Sequence, residues 1–231
     1  MALFARGANA AAGSVALQPQ NAVLMIGNTG GFGMLIALMA LAIAQTEPVP
    51  VSDPCSHDRT ALLALSPAEF DQDLEGGWRP LGAKPECSAV AADLLAAYRK
   101  AHWGELTPGE LHINYWHEGQ LRAALNQTEA AARLLMAGVN PEAPDSGFSD
   151  YALGTIAFLH QDRPGLLAAR ERLAATPKPA DFDRSAERFK ATYGLDLEWP
   201  VNLKVLDGLI ACFGRPYSEA YGDCRPEAPA P

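Results

Sequence analysis

The sequence predicts an all-α domain built of stacked antiparallel helical hairpins. Three observations predict it. Two capping boxes carry proline at the first helical position, apolar residues recur at helical spacing along most of the chain beyond Cys55, and two helix pairs match at an offset of 35 residues. No stretch alternates apolar and polar residues in the manner of a half-buried strand, so a sheet is not expected.

Each helix has its own signal. Ser66-Pro67-Ala68-Glu69 has capping-box spacing, in which the Ser oxygen accepts a free backbone N–H and the Glu reaches back; the helix it opens is short because Gly76-Gly77 breaks it. Val90, Leu94, Ala97 and Ala101 form one stripe of a helix over Glu86–His102, with Asp93, Arg99 and Lys100 off that stripe. Thr107-Pro108-Gly109-Glu110 is the second capping box and opens a helix to about Leu125. Thr128–Ala137 follows, closed by Gly138 in the C-terminal cap position, and Asn140–Gly147 is a proline-containing loop. A helix over Ser149–His160 precedes one started by Asp162-Arg163-Pro164, with Leu166, Ala169 and Leu173 on one side and an end near Thr176. Thr176–Pro179 reads as a linker and Arg184–Tyr193 as an amphipathic helix. The last helix begins near Pro200, carries Leu206, Leu209, Ile210 and Phe213 at i, i+3, i+4 and i+7, and is stopped by Gly214 and Pro216.

In the internal repeat, Trp116 aligns with Tyr151, Gly119 with Gly154, Ala123 with Phe158, Asn126-Gln127 with Gln161-Asp162, and Ala131-Ala132 with Leu166-Leu167. Each unit has an aromatic, a small residue three positions on, a polar turn and an Ala/Leu-rich second helix. The small residue lets two antiparallel helices approach closely. Over about Leu111–Pro179 this resembles tetratricopeptide repeats, whose pattern runs W-x2-L-G-x2-Y, then A-x3-F, then P. Leu153-Gly154 matches the L-G pair. Glu118 replaces the Leu in the first unit, and neither unit has the later Tyr. Otherwise the chain is similar to exported bacterial proteins. The resemblance implies a right-handed array of hairpins with flanking helices completing the stack, binding a protein or peptide on the face formed by first helices. Asn114, His117, Glu118, Arg122 and Tyr151 would then lie near the ligand.

The N-terminal region points to export. Met34–Ala44 is an uncharged apolar segment ending in Ala42-Ile43-Ala44, the layout of a signal peptide cut before Gln45. The alternative is an uncut anchor over Asn21–Ala44, which would tie the protein to a membrane. Residues 1–44 are thus expected as a signal segment, 45–54 as a linker, 55–225 as a single helical domain and 226–231 as a disordered tail. Ala22–Gly33 has the look of a dinucleotide-binding glycine turn, but no second strand with a terminal acid follows it. Residues 1–44 hold Arg6 and no acid, so the remainder keeps 17 basic and 27 acidic residues, a net charge of −10. That charge repels phosphate backbones, so no nucleic-acid partner is expected. Arginine exceeds lysine thirteen to five, and alanine is abundant, a composition read as bacterial; the expected location is periplasmic or secreted. Four cysteines in an exported chain predict two disulfides, Cys55–Cys87 and Cys212–Cys224. No C-x-x-C or paired-histidine spacing supports zinc.

Catalytic motifs are sparse. His117-Glu118-Gly119-Gln120-Leu121 begins like a zinc-protease motif, but Leu121 stands where the second histidine must fall. His102, His112 and His117 are expected as solvated surface residues. No metal, no cofactor and no catalytic residue is expected. The alternative to partner binding is a helical cell-wall hydrolase in which Glu118, beside Asn114, Tyr115 and Trp116, donates a proton. Against it stands a Glu118–Arg122 ion pair at i, i+4.

Overall fold

A computed structural model describes residues 53–139 and 147–226. The signal and anchor readings, most of the expected linker, the loop after Asn140 and the tail beyond Pro226 lie outside the described residues. Within them the chain is helical and has no strand. The order is α1 (Arg59–Leu63), a π-helical turn (Ala68–Gln72), α2 (Arg79–Gly82), a 3-10 turn (Pro85–Cys87), α3 (Ser88–Ala101), α4 (Pro108–Ala124) and α5 (Thr128–Ala137). Then come α6 (Phe148–Leu159), α7 (Arg163–Ala174), α8 (Phe182–Tyr193), α9 (Leu203–Ala211) and α10 (Tyr217–Gly222).

The first capping box forms, with the Ser66 N–H donating to Glu69 Oε2 at 3.0 Å and the Glu69 N–H to Ser66 Oγ at 3.4 Å. What it opens is a π turn rather than an α-helix: the Asp73 N–H reaches back five residues to the Ala68 carbonyl at 3.0 Å. The wider turn directs two consecutive residues, Phe70 and Asp71, inward. Gly77 then doubles the chain back. Its φ is +56°, and a Cβ there would stand 1.9 Å from the Phe70 carbonyl oxygen, so no other residue fits. The second box is complete at Thr107 and Glu110 and sets the start of α4.

The turns that close the α4–α5 and α6–α7 pairs have the same geometry. At the end of α4, the Gln127 N–H donates to the Arg122 carbonyl at 2.9 Å and the Asn126 N–H to that of Ala123 at 3.0 Å. At the end of α6, the Asp162 N–H donates to Ala157 at 2.8 Å and the Gln161 N–H to Phe158 at 3.0 Å. Both are Schellman caps, with Asn126 and Gln161 left-handed at φ 58° and 59°. A Cβ on Gly119 would meet Leu135 of α5 at 2.8 Å, and one on Gly154 would meet Leu206 of α9 at 2.8 Å and Ala169 of α7 at 3.3 Å. The α4–α5 and α6–α7 pairs touch through Trp116, whose ring lies 4.8 Å from Phe148 and 5.0 Å from Tyr151.

Two apolar cores flank α4. One gathers Phe70, Trp78, Leu81, Leu94, Leu95, Tyr98 and Leu121; the other gathers Trp116, Leu135, Tyr151, Phe158, Leu166, Leu173, Leu206 and Leu209. The helix between them is therefore buried on nearly every side. Both expected disulfides are present, Cys55–Cys87 and Cys212–Cys224, and no free cysteine remains among the described residues. No helix among those residues is long and apolar enough to cross a membrane. Two disulfides indicate a non-reducing environment.

Three local expectations need correction. Gly138 caps α5 with φ −77°, so it is not needed for a left-handed cap. A Cβ there would sit 3.0 Å from the Trp116 Cβ and the His112 carbonyl, so close packing on α4 requires it. The last helix starts at Leu203 rather than near Pro200. After Pro216 the chain forms α10, whose Tyr217, Ala220 and Tyr221 return to the core.

Candidate functional site

A helix buried on nearly every side has to satisfy the polar side chains it carries inward, because an unpaired buried donor or acceptor costs about 1–3 kcal/mol. Helix α4 carries four: Asn114, His117, Glu118 and Gln120, none more than 4% exposed. Asn114 and Glu118 share Arg99 of α3, His117 is bonded to the π turn, and Gln120 donates to the Tyr221 hydroxyl of α10.

Glu118 lies between Arg99 of α3 and Arg122 of α4. Its Oε2 accepts from Arg99 Nη2, and its Oε1 accepts from Arg122 Nε and Nη2 at 3.2 Å each. Arg122 also donates to Asp93 Oδ1 at 2.6 Å. Arg99 covers the Tyr115 ring at 4.0 Å and donates through Nη1 to Asn114 Oδ1 at 2.7 Å. A guanidinium can only donate, so the Asn114 oxygen must face it and the Nδ2 amide group is turned away. Among the described residues nothing accepts from Nδ2.

One turn on from Asn114, His117 Nδ1 lies 2.7 Å from Asp71 Oδ1 in the π turn. The same oxygen accepts from Trp78 Nε1 at 2.7 Å, and Gln72 Nε2 donates to Asp71 Oδ2 at 2.8 Å. Burial pushes the His117 imidazole below its ordinary value, against the pull of Asp71, so the ring is neutral and donates from Nδ1. Burial opposes ionisation of Asp71 too, but the His117 and Trp78 bonds and the Arg79 charge outweigh it, and its carboxyl stays below the usual range. Arg79 spends Nε and Nη2 on the Asp71 backbone carbonyl, at 3.2 and 2.8 Å, not on the carboxylate. The surroundings are thus a buried anion held mainly by neutral donors.

This anion lines a cavity of about 300 Å³ between the π turn, Tyr98 of α3 and the first half of α4. Pro67, Leu106, Ile113 and the Tyr98 ring supply apolar walls; Asp71, Gln72, Glu110 and Asn114 supply the polar groups. Tyr98 is held in place by stacking on Phe70, with ring centroids 3.7 Å apart, and by donating from its hydroxyl to the Leu65 carbonyl at 2.8 Å.

The residues singled out from sequence therefore separate. Asn114 lines the cavity, and His117 stands behind it holding Asp71. Glu118 and Arg122 form the expected i, i+4 pair within a wider ionic cluster. Tyr151 is packed in the other core against Trp116. His117 is not the surface histidine expected: it is 2% exposed because α4 is covered on that side by the π turn. Sequence reasoning did not find Asp71, Trp78, Arg79 or Arg99. The one usable signal was the short capped helix followed by Gly76-Gly77-Trp78, a sharp return that brings an indole back onto the preceding turn.

Compared with protein-family models, curated proteins and solved structures, the chain has no significant match.

Proposed function

We propose that the chain is an exported helical-hairpin domain, of a degenerate tetratricopeptide-like kind, that binds a protein or peptide partner in the bacterial cell envelope. One observation carries this reading: the cavity beside Asn114, which combines apolar walls with an amide donor that no described residue uses. Binding pockets have this make-up, with mostly apolar lining and a few fixed polar groups, and a volume of about 300 Å³ suits one anchoring residue of a larger partner. The equivalent turns of the two hairpins and the close packing at Gly119 and Gly154 support the repeat reading.

The hydrolase alternative loses ground on the same geometry. A general acid needs a free oxygen to hold and release its proton. Both oxygens of Glu118 are occupied by guanidinium groups.

The test is site-specific photo-crosslinking in the envelope, from Ala68 at the cavity rim and from Arg133 on the exposed side of α5. A discrete adduct from Ala68, missing from Arg133 and reduced by Asn114→Ala, is the expected result. Identical patterns from both positions would remove the cavity from the reading.

A further inference from the structure

The cavity's polar groups have a definite complement. Its charged lining residues are Asp71 and Glu110, both acidic, and no Lys, Arg or His lines it. Among the described residues no Lys or Arg nitrogen is paired with the Asp71 carboxylate; its ion-pair geometry is to His117, which is neutral, while Arg79 is spent on the backbone carbonyl. The carboxylate's hydrogen bonds come from the neutral Gln72, Trp78 and His117 side chains, so the group that complements it from the cavity side is a cation. Asn114 adds the opposite requirement. The residue is 2% exposed, and Arg99 turns its Nδ2 donor away from α3, leaving beside the cavity a donor that no described residue accepts from. Asn114 and Asp71 are neighbours, because Asp71 is bonded to His117, the residue one turn along the same face of α4.

A lone ammonium, such as the end of a lysine side chain, satisfies the carboxylates and leaves Asn114 without an acceptor. A polypeptide's amino terminus satisfies both, because its α-ammonium is followed at once by a carbonyl. On the binding reading above, we infer that the cavity receives the free amino terminus of the partner polypeptide. The α-ammonium donates to Asp71 Oδ2 and to Glu110, the first carbonyl accepts from Asn114 Nδ2, and an apolar first side chain lies against Tyr98, Leu106 and Ile113. The acidic balance of the chain favours approach of such a group.

The experiment compares the tripeptide amide Leu-Ala-Ala with its N-acetylated form and with free leucine, by calorimetry and by NMR of the full chain. The Trp78 indole N–H, which is bonded to Asp71, and the Asn114 side-chain amide are the reporters. The free tripeptide is expected to shift both signals and to bind at least tenfold more tightly than the acetylated one. Asp71→Asn should abolish that preference. Glu110→Gln, which keeps the capping box of α4 and so the fold, should lower the affinity several-fold. Equal binding of free and acetylated peptides, or binding of neither at millimolar concentration, overturns the inference; leucine binding as tightly as the tripeptide overturns the polypeptide source. If neither peptide binds while Ala68 still crosslinks a partner, the amino-terminus inference fails and the binding reading stands. Loss of the crosslink as well removes both.

Discussion

Gly119→Ala tests whether helices α4 and α5 meet as closely as the repeat requires. In a helix interior, replacing Gly by Ala should stabilise by about 1 kcal/mol, since alanine loses less backbone freedom on folding. At Gly119 the added methyl would stand 2.8 Å from Leu135 Cδ2, 2.9 Å from Cγ and 3.0 Å from the Leu135 backbone nitrogen. The Leu135 side chain is fully buried, so it has no space to yield into, and the backbone contact requires α5 itself to move. Overpacking costs about 1–3 kcal/mol, and a contact with backbone rather than a flexible side-chain end puts this site in the upper part of that range, about 2–3 kcal/mol. The net expectation is a loss of about 1–2 kcal/mol, visible as a lower urea midpoint with an unchanged slope, and as a fall in melting temperature of about 2–4 °C per kcal/mol for a domain this size. Gly109→Ala supplies the control. It lies in the first turn of the same helix, has nothing within 4 Å of an added Cβ, and should stabilise by about 0.4–1 kcal/mol. If Gly119→Ala is as stable as the parent, the hairpins do not depend on a missing side chain, and the physical basis for aligning Gly119 with Gly154 is lost.

Gln161 holds a left-handed conformation that glycine adopts without strain, so Gln161→Gly should raise stability by about 0.5–1 kcal/mol in urea denaturation; a loss would mean that its bond to the Phe158 carbonyl outweighs the strain. Glu118→Gln should destabilise by about 3 kcal/mol, because it leaves the largely buried Arg99 without its anionic partner, and it should leave peptidoglycan release unchanged; a fall in release would revive the hydrolase reading. Acid should weaken the fold. Burial holds His117 below its ordinary value, so the unfolded chain takes up a proton that the folded chain refuses as pH drops below about 6.5, and Asp71, also held low, adds a second loss at lower pH. His102 has the opposite sign, being raised by its bonds to the Leu63 carbonyl and Glu105, so the profile is best taken in a His102→Asn background. A urea midpoint that rises between pH 7 and pH 5 there would show that folded His117 is charged. Reduction should remove about 4 kcal/mol for Cys55–Cys87 and about 3 kcal/mol for Cys212–Cys224, from loops of separation 32 and 12, and lower the melting temperature by several degrees per bond; calorimetry with and without reductant decides it.

The sequence by itself determined the helical class, the order of α3 to α9, the turns that close the α4–α5 and α6–α7 pairs and the two cysteine pairings. These depend on interactions over a few residues. A capping box acts over three positions and an apolar stripe over about one turn, so Thr107–Glu110 and the Leu206, Leu209 and Ile210 stripe are legible without any knowledge of the fold, although α9 ends at Ala211, short of Phe213. The cysteine pairs follow from nearness along the chain. Only the tertiary structure decided what the polar residues of α4 do. His117 is bonded to a residue 46 positions away, Glu118 to one 19 away and Asn114 to one 15 away. The His117 pairing exists because a π turn faces Asp71 inward and Gly77 folds Trp78 and Arg79 back upon it, and the other two because α3 brings Arg99 against α4; none of these events has a periodic signature. The cavity depends on them in turn: its shape comes from three segments packed at a particular register, and register is a property of the assembled core rather than of any one stretch of chain.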